Sequence, residues 1–324
     1  MIKVKLTALL FLLVSGFSAV SLAADEIFPS RRITLIVPFG SGGATDQIGR
    51  ILAQKMSVGL NQAVVVENRP GAGGSIGSLE VARSTANGYT LLLGTSSTHG
   101  INPWIYKLPY NVAKDFIPVS MLATTEYAVS INPKVHPTIL SVQDLTQLTR
   151  TRQITYGSAG NGTTSHLGGA LYTKLSGANF DHIPYKTPAS VLTDLLGGQV
   201  DFTVDNISTV LPHVKSGKLR VLATTGQTRE SVLPDTPTMR ESGVPGYELV
   251  GWFVLLAPAG TPDGVINKLN SEFVKALNQP ELRERLLSEG NKPMPSTPNE
   301  AKAFIDAQLI QFKSAVEAAN ARIE

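Results

Sequence analysis

The sequence predicts an α/β molecule of two lobes, each a mainly parallel sheet flanked by helices, with a cleft between them. Three observations lead there. Apolar β-branched runs alternate with helix-patterned segments along the whole chain, and strands so continuously apolar are buried on both faces, as in parallel sheets covered by helices. Two stretches, VPFGSGGATDQIGRIL (37–52) and ITYGSAGNGTTSHLGGAL (154–171), repeat one pattern of strand, Gly/Ser/Thr loop and amphipathic helix. Two extended segments, around Tyr127 and around Trp252, each end in prolines and have the length and pattern of paired crossings between lobes. The crossings divide the chain into a discontinuous first lobe, 25–126 plus 247–324, and a second lobe, 127–246.

In chain order, ITLIV leads to the helical IGRILAQKM, AVVVEN to SIGSLEVAR, and YTLLLG stands as a further strand. In the second half ITYGS leads to HLGGALYTKL, followed by the strands VDFTV and LRVLATT. Ser141 to Asp144 and Thr297 to Glu300 read as capping boxes, the second with proline at the first helical position. Thr187-Pro188 and Thr261-Pro262 repeat a cap-then-proline start. From Pro298 to the end, Ala303, Phe304, Ala307, Ile310 and Ala315 recur at helical spacing, predicting one long helix.

Residues 1–23 read as a cleaved export signal: Lys3 and Lys5, an apolar run from Leu6 to Val14, then Ser21-Leu22-Ala23 as a small-x-small site. The apolar run falls short of the ~20 residues a membrane-spanning helix needs. The 324 residues hold 28 Lys and Arg against 25 Asp and Glu; without Lys3 and Lys5 the count is 26 against 25, a net charge of +1. With 16% charged residues and that balance, a basic nucleic-acid face is not expected. The absence of cysteine removes disulfides, thiolate chemistry and a lipid-attachment site.

The repeated device places two helix N-termini at strand ends, where free N–H groups and the positive end of the macrodipole suit a small anion. Neither loop contains lysine or arginine, and neither carries the Gly-Lys-Ser/Thr of a P-loop, so a carboxylate fits better than a triphosphate. Gly73-Gly74-Ser75-Ile76-Gly77 matches G-x-S-x-G, but Asn68-Arg69-Pro70-Gly71 separates it from the preceding strand, so Ser75 is expected to start a helix rather than form a nucleophile elbow. Ile76 occupies the third-glycine position of a dinucleotide fingerprint. His99, His136, His166, His182 and His213 are scattered without ligand spacing, so no metal and no cofactor is expected. Asp201 and Asp205 lie about 13 Å apart along one strand, too far to act as a pair. Asp205, at the strand end, is either a cleft acceptor for an amino or hydroxyl group or a helix cap. Lys186 is the nearby cation with reach to a second carboxylate, or a solvated surface lysine.

Beyond these local features, the chain resembles the Bug family, the extracytoplasmic receptors of tripartite tricarboxylate transporters. The resemblance rests on Pro38-Phe39 with Gly42-Gly43 and Asp46, Glu67 to Gly74, Asn87 to Leu91, and Asn102-Pro103 with Tyr106. It continues in Gly157-Ser158 with Gly160, Gly162 and His166-Leu167, Asp194 to Asp201, Gly217 to Arg220, Leu233 to Pro237, and Ala257 to Pro262. It implies a type II periplasmic-binding-protein fold closing on a carboxylated metabolite. The implied contacts are Phe39, Ser41, Gly42, Gly43, Asp46, Ser96 and Ser97 in lobe one, and Ser158, Gly162, Thr163, Thr164 and Asp205 in lobe two. The family has Tyr-Lys-Gly where this chain has Tyr185-Lys186-Thr187, so the pocket wall is expected to differ there.

The resulting expectation is a monomeric periplasmic solute-binding protein, delivering a small organic acid or carboxylated amino acid to the integral-membrane components of such a transporter, without cofactor and without chemistry of its own. The alternative is an exported enzyme of similar two-lobed fold acting on a carboxylate. It needs an activated nucleophile, an oriented base or metal ligands, none of which the sequence groups together. Dicarboxylates, acidic amino acids and aromatic carboxylates all satisfy the same amides.

Overall fold

The computed structural model describes residues 28–321; the export signal read at 1–23 lies outside the described residues. The first half runs β1 (Ile33–Val37), α1 (Ala44–Leu60), β2 (Val64–Asn68), α2 (Ser75–Ala82), β3 (Thr90–Thr95), α3 (Asn102–Ile105) and the 16-residue β4 (Phe116–Ile131). The middle runs α4 (Val142–Leu148), β5 (Ile154–Ser158), α5 (Thr164–Ser176), β6 (Phe180–Pro184), α6 (Pro188–Gly197), β7 (Phe202–Asn206), α7 (Ile207–Lys215) and β8 (Arg220–Thr224). The chain closes with β9 (Val250–Pro258), α8 (Asp263–Leu277), α9 (Pro280–Ser288), β10 (Asn291–Pro293) and α10 (Pro298–Ala319).

Each lobe is built on three parallel strands, β2-β1-β3 in one and β6-β5-β7 in the other. The crossing segments add antiparallel pairs to both: β9 lies between β3 and β4 in sheet one, while β4 pairs with β7 and β8 in sheet two. β4 is the joint. Its residues 116–126 pair with β9 and its residues 127–131 with β7, so one unbroken strand passes through both sheets. The chain returns to sheet one beside that crossing, where Thr225 N–H donates to Tyr127 O and Leu249 N–H donates to Thr225 O, 3.0 Å each.

Both capping boxes are present, at Ser141/Asp144 and Thr297/Glu300. Thr187 caps α6, its hydroxyl accepting from Ser190 N–H. The cap-then-proline pattern fails at Thr261, whose hydroxyl donates to Pro258 O instead; Pro262 itself is the cap residue of α8. α10 ends at Ala319, where Asn320 turns left-handed (φ 50°). It packs on β4 and on α5, and so touches both lobes. The largest buried side chains, Trp252, Tyr172, Tyr247, Phe202 and Phe273, fill the space between the sheets and their helices, where aromatic rings contribute most per residue to burial.

Candidate functional site

The two repeated loops face each other across the cleft. In lobe one, Val37 ends β1 and the loop 38–43 leads into α1, whose cap residue Gly43 supplies no side chain. Asp46, in the first turn, folds this loop back: its Oδ2 accepts from Gly42 N–H (3.0 Å) and Arg50 Nε (3.1 Å), its Oδ1 from Asn68 Nδ2 (2.9 Å). Burial pushes its pKa up, but the hydrogen bonds from Arg50, Gly42 and Asn68 together outweigh that, and it is held below the usual carboxylate range. Asp46 is thus a strut of the loop. In lobe two, Thr163 caps α5 by accepting from His166 N–H, and Ser158 is spent on His182 Nε2 (2.6 Å) and on the Gly160 backbone.

Between the loops lies a small cavity of about 50 Å³. Six of the twelve contacts expected from the sequence line it: Phe39, Ser96, Ser97, Thr163, Thr164 and Asp205. Ser41, Gly42, Gly43, Asp46, Ser158 and Gly162 do not. Of these three glycines, Gly43 and Gly162 approach the opposing groups most closely: a Cβ on Gly43 comes 2.9 Å from Pro188 Cγ, and one on Gly162 comes 2.5 Å from Asn102 Oδ1. Sequence reasoning missed Tyr127, Asn206 and Trp252 as lining groups. Tyr127 and Trp252 sit on the two crossing segments, so their signal was the crossing itself.

The polar lining is mostly neutral. Ser97 Oγ accepts from Thr164 N–H (3.0 Å), and Thr164 Oγ1 lies 2.9 Å from Ser96 Oγ and 3.1 Å from Ser97 Oγ. Ser97 begins a single wide π-type turn, Ser97–Ile101, a form common where a helix is locally rebuilt for a site. The Tyr127 phenol reaches Thr164, Asn206 and Ser96, and burial pushes its pKa upward, so it remains a neutral hydroxyl. Asp205 is the exception. Its Oδ1 accepts from Asn206 N–H (2.7 Å), while Oδ2 takes no hydrogen bond from the described residues. The cap of α7 is Asn206, whose Oδ1 accepts from Ser208, so Asp205 does not serve as the helix cap. Burial raises the Asp205 pKa to about 7.

Phe39 and Ala159 also border a second, outer chamber of about 550 Å³, whose walls include Tyr106, Tyr185 and the exposed Lys186. Thr187 lies beside it in extended backbone (φ −142°), its methyl where a Cβ on Gly40 would stand at 2.7 Å, so it packs the two lobes together. His166, in the first turn of α5, is buried against His182 (ring centroids 4.4 Å apart) and away from the cavity; burial lowers its pKa to about 4. Among the described residues no three His, Asp or Glu side chains gather as a metal site, and no helix is long and apolar enough to cross a membrane.

The sequence of residues 48–321 matches the family model described as tripartite tricarboxylate transporter family receptor. The chain belongs to this family. It is 35% identical to protein BugT of Bordetella pertussis over 318 residues, 97% of each chain. Rpa4515 of R. palustris, solved with adipate, superposes with a TM-score of 0.87 at 34% identity, covering 90% of this chain and 98% of that one. MatC from Rhodopseudomonas palustris, solved with bound malate, gives 0.84 at 30% identity, covering 89% and 100%. The fold is the two-lobed type II architecture of these receptors.

Proposed function

We propose that this receptor is exported to the periplasm, acts as a monomer, and captures a small carboxylated metabolite that also carries a hydrogen-bond donor, a hydroxy acid or an amino acid. It then presents that ligand to the membrane components of a tripartite tricarboxylate transporter. The leader-like segment 1–23 supports export, and the lobes divide as 25–126 plus 247–324 and 127–246. Ser96, Ser97, Thr163 and Thr164 receive one carboxylate at the N-terminus of α5, where amide dipoles already favour negative charge. Phe39 separates this head group from the outer chamber, in which Lys186 meets a second carboxylate. Ser41, Gly42, Gly43, Asp46, Ser158 and Gly162 set the shape and closure of the two loops.

The observation that carries this proposal is the unpartnered Oδ2 of the buried Asp205 in the wall of the cavity. An ammonium or hydroxyl on the ligand donates to it directly. A bare carboxylate facing it requires a shared proton. The polar groups around Asp205 are hydroxyls and amides, and its hydrogen-bond partner is a backbone N–H rather than a serine or histidine, which favours binding over catalysis. Calorimetry with acid pairs differing by one donor, malate against succinate and glutamate against glutarate, tests this. The donor-bearing member of a recognised pair binds about tenfold or more tightly at pH 7.5. Equal affinities within every pair that binds, or no carboxylate bound at all, rejects it.

A further inference from the structure

The inner cavity and the outer chamber meet at two residues. Phe39, in the loop before α1, and Ala159, in the loop before α5, border both spaces. Ala159 has no side chain beyond its methyl, so the width of the passage is set by Phe39. The ring is half-buried and its tip lies against the chamber wall, where a Cβ on Gly74 would stand 3.2 Å from Phe39 Cζ. Its backbone is held in place, because Phe39 O accepts from Asn68 Nδ2 (3.0 Å), and the same amide donates to Asp46.

The sizes and chemistry of the two spaces set the order of groups along a ligand that occupies both. One water needs about 10–15 Å³ of such space, so the inner cavity of about 50 Å³ takes a head group of about four non-hydrogen atoms, a carboxylate and the carbon that bears it. The outer chamber, about 550 Å³, receives what lies beyond, and Lys186 is the charged side chain among its described lining residues, beside Tyr106 and Tyr185. The segment between head and tail therefore passes the Phe39 ring. Methylene groups gain apolar contact there, whereas a carboxylate at the same place loses water and meets no donor. In a four-carbon diacid one methylene separates the α-carbon from the second carboxylate, which puts that charge at Phe39. A longer diacid puts methylenes at the ring and its charge in the chamber. We propose that Phe39 is the residue that determines specificity for ligand length, and that the receptor selects α-amino or α-hydroxy diacids with three or more methylene groups between the α-carbon and the distal carboxylate. This length rule rests on the head-group placement proposed above.

Calorimetry at pH 7.5 with aspartate, glutamate, 2-aminoadipate and 2-aminopimelate is the test. Affinity rises along the series, and 2-aminopimelate binds about tenfold or more tightly than aspartate. Phe39→Ala, which opens the passage to water, brings the two within about threefold of each other, and Phe39→Leu, apolar like the ring, keeps the wild-type order. Aspartate binding as tightly as 2-aminopimelate, or an unaltered ratio in a folded Phe39→Ala protein, overturns the proposal; if that variant does not fold, the wild-type order decides. Pimelate against 2-aminopimelate, alike in length and different in the donor, reads Asp205 separately, so a failure of the head-group placement and a failure of the length rule are told apart. A series in which no acid binds rejects both.

Discussion

Ser97 Oγ, on lobe one, accepts a hydrogen bond from the backbone N–H of Thr164, the first residue of α5 on lobe two, at 3.0 Å. A helix begins with N–H groups that have no partner within the helix. Here one of them is satisfied by a serine from the opposite lobe, so closure of the cleft and pairing of the helix end are one event. The same two serines that line the cavity therefore also hold the lobes together, with Thr164 Oγ1 between them.

Ser97→Ala removes the acceptor of the Thr164 amide. The closed form loses one hydrogen bond, worth about 1 kcal/mol, and affinity for whichever of the paired acids binds falls about fivefold, measured by calorimetry. An unchanged affinity shows that closure does not draw on this bond.

Gly162→Ala places a methyl group against lobe one, 2.5 Å from Asn102 Oδ1 and 2.6 Å from Tyr106 Cε2, at a residue with φ 77°. Gly177→Ala is the control, because it has the same left-handed strain (φ 68°) and nothing within 4 Å. Both substitutions lose about 1 kcal/mol in thermal unfolding. Only Gly162→Ala weakens ligand binding, by about tenfold or more, and gives a larger ligand-saturated radius of gyration in X-ray scattering. Equal binding by the two variants removes the glycine from lobe closure.

The pH dependence of stability carries the signature of Asp205. Its folded pKa of about 7 stands above the ordinary carboxylate value of 3.8, so the folded state holds a proton that the unfolded chain releases. Its contribution is fully present below about pH 4, is lost as pH rises towards 7, and is gone above that. The slope favours lower pH across this window, by on the order of 1 kcal/mol per pH unit. In thermal unfolding from pH 4.5 to 7.5, Asp205→Asn flattens that component relative to wild type. Parallel curves for the two proteins contradict it.

What could be read from the sequence and what could not divide by the range of the forces involved. The ITLIV and ITYGS strands, the capping boxes and the start of α2 at Ser75 are set by neighbours in sequence, and the structure has them where expected. Thr261 has the same local pattern as Thr187, but its hydroxyl is captured by Pro258 O. The cavity was half legible: the loop before α5 marks itself in Gly, Ser and Thr, and Thr163 and Thr164 line the cavity from it, whereas Ser96 and Ser97 followed only from the family resemblance. Tyr127 and Trp252 reach the same cavity from strands far apart in sequence, through pairings such as Thr124 with Trp252, which no local pattern encodes. Nor does a glycine's spelling say whether its open face meets a ligand or, as at Gly43 and Gly162, the other lobe.

The position of β9 between β3 and β4 has a consequence for how the molecule assembles. Strands three and four of sheet one are made early, yet the strand that joins them is complete only at residue 258, after all of sheet two has been made. Until then the β3 and β4 edges are open, each with a row of unpaired backbone groups. Sheet two needs nothing beyond β8 to pair its own strands, so the chain order favours its completing first. Sheet one, with its more distant pairings, is then the slower half to form, and the site between the lobes has to wait for it.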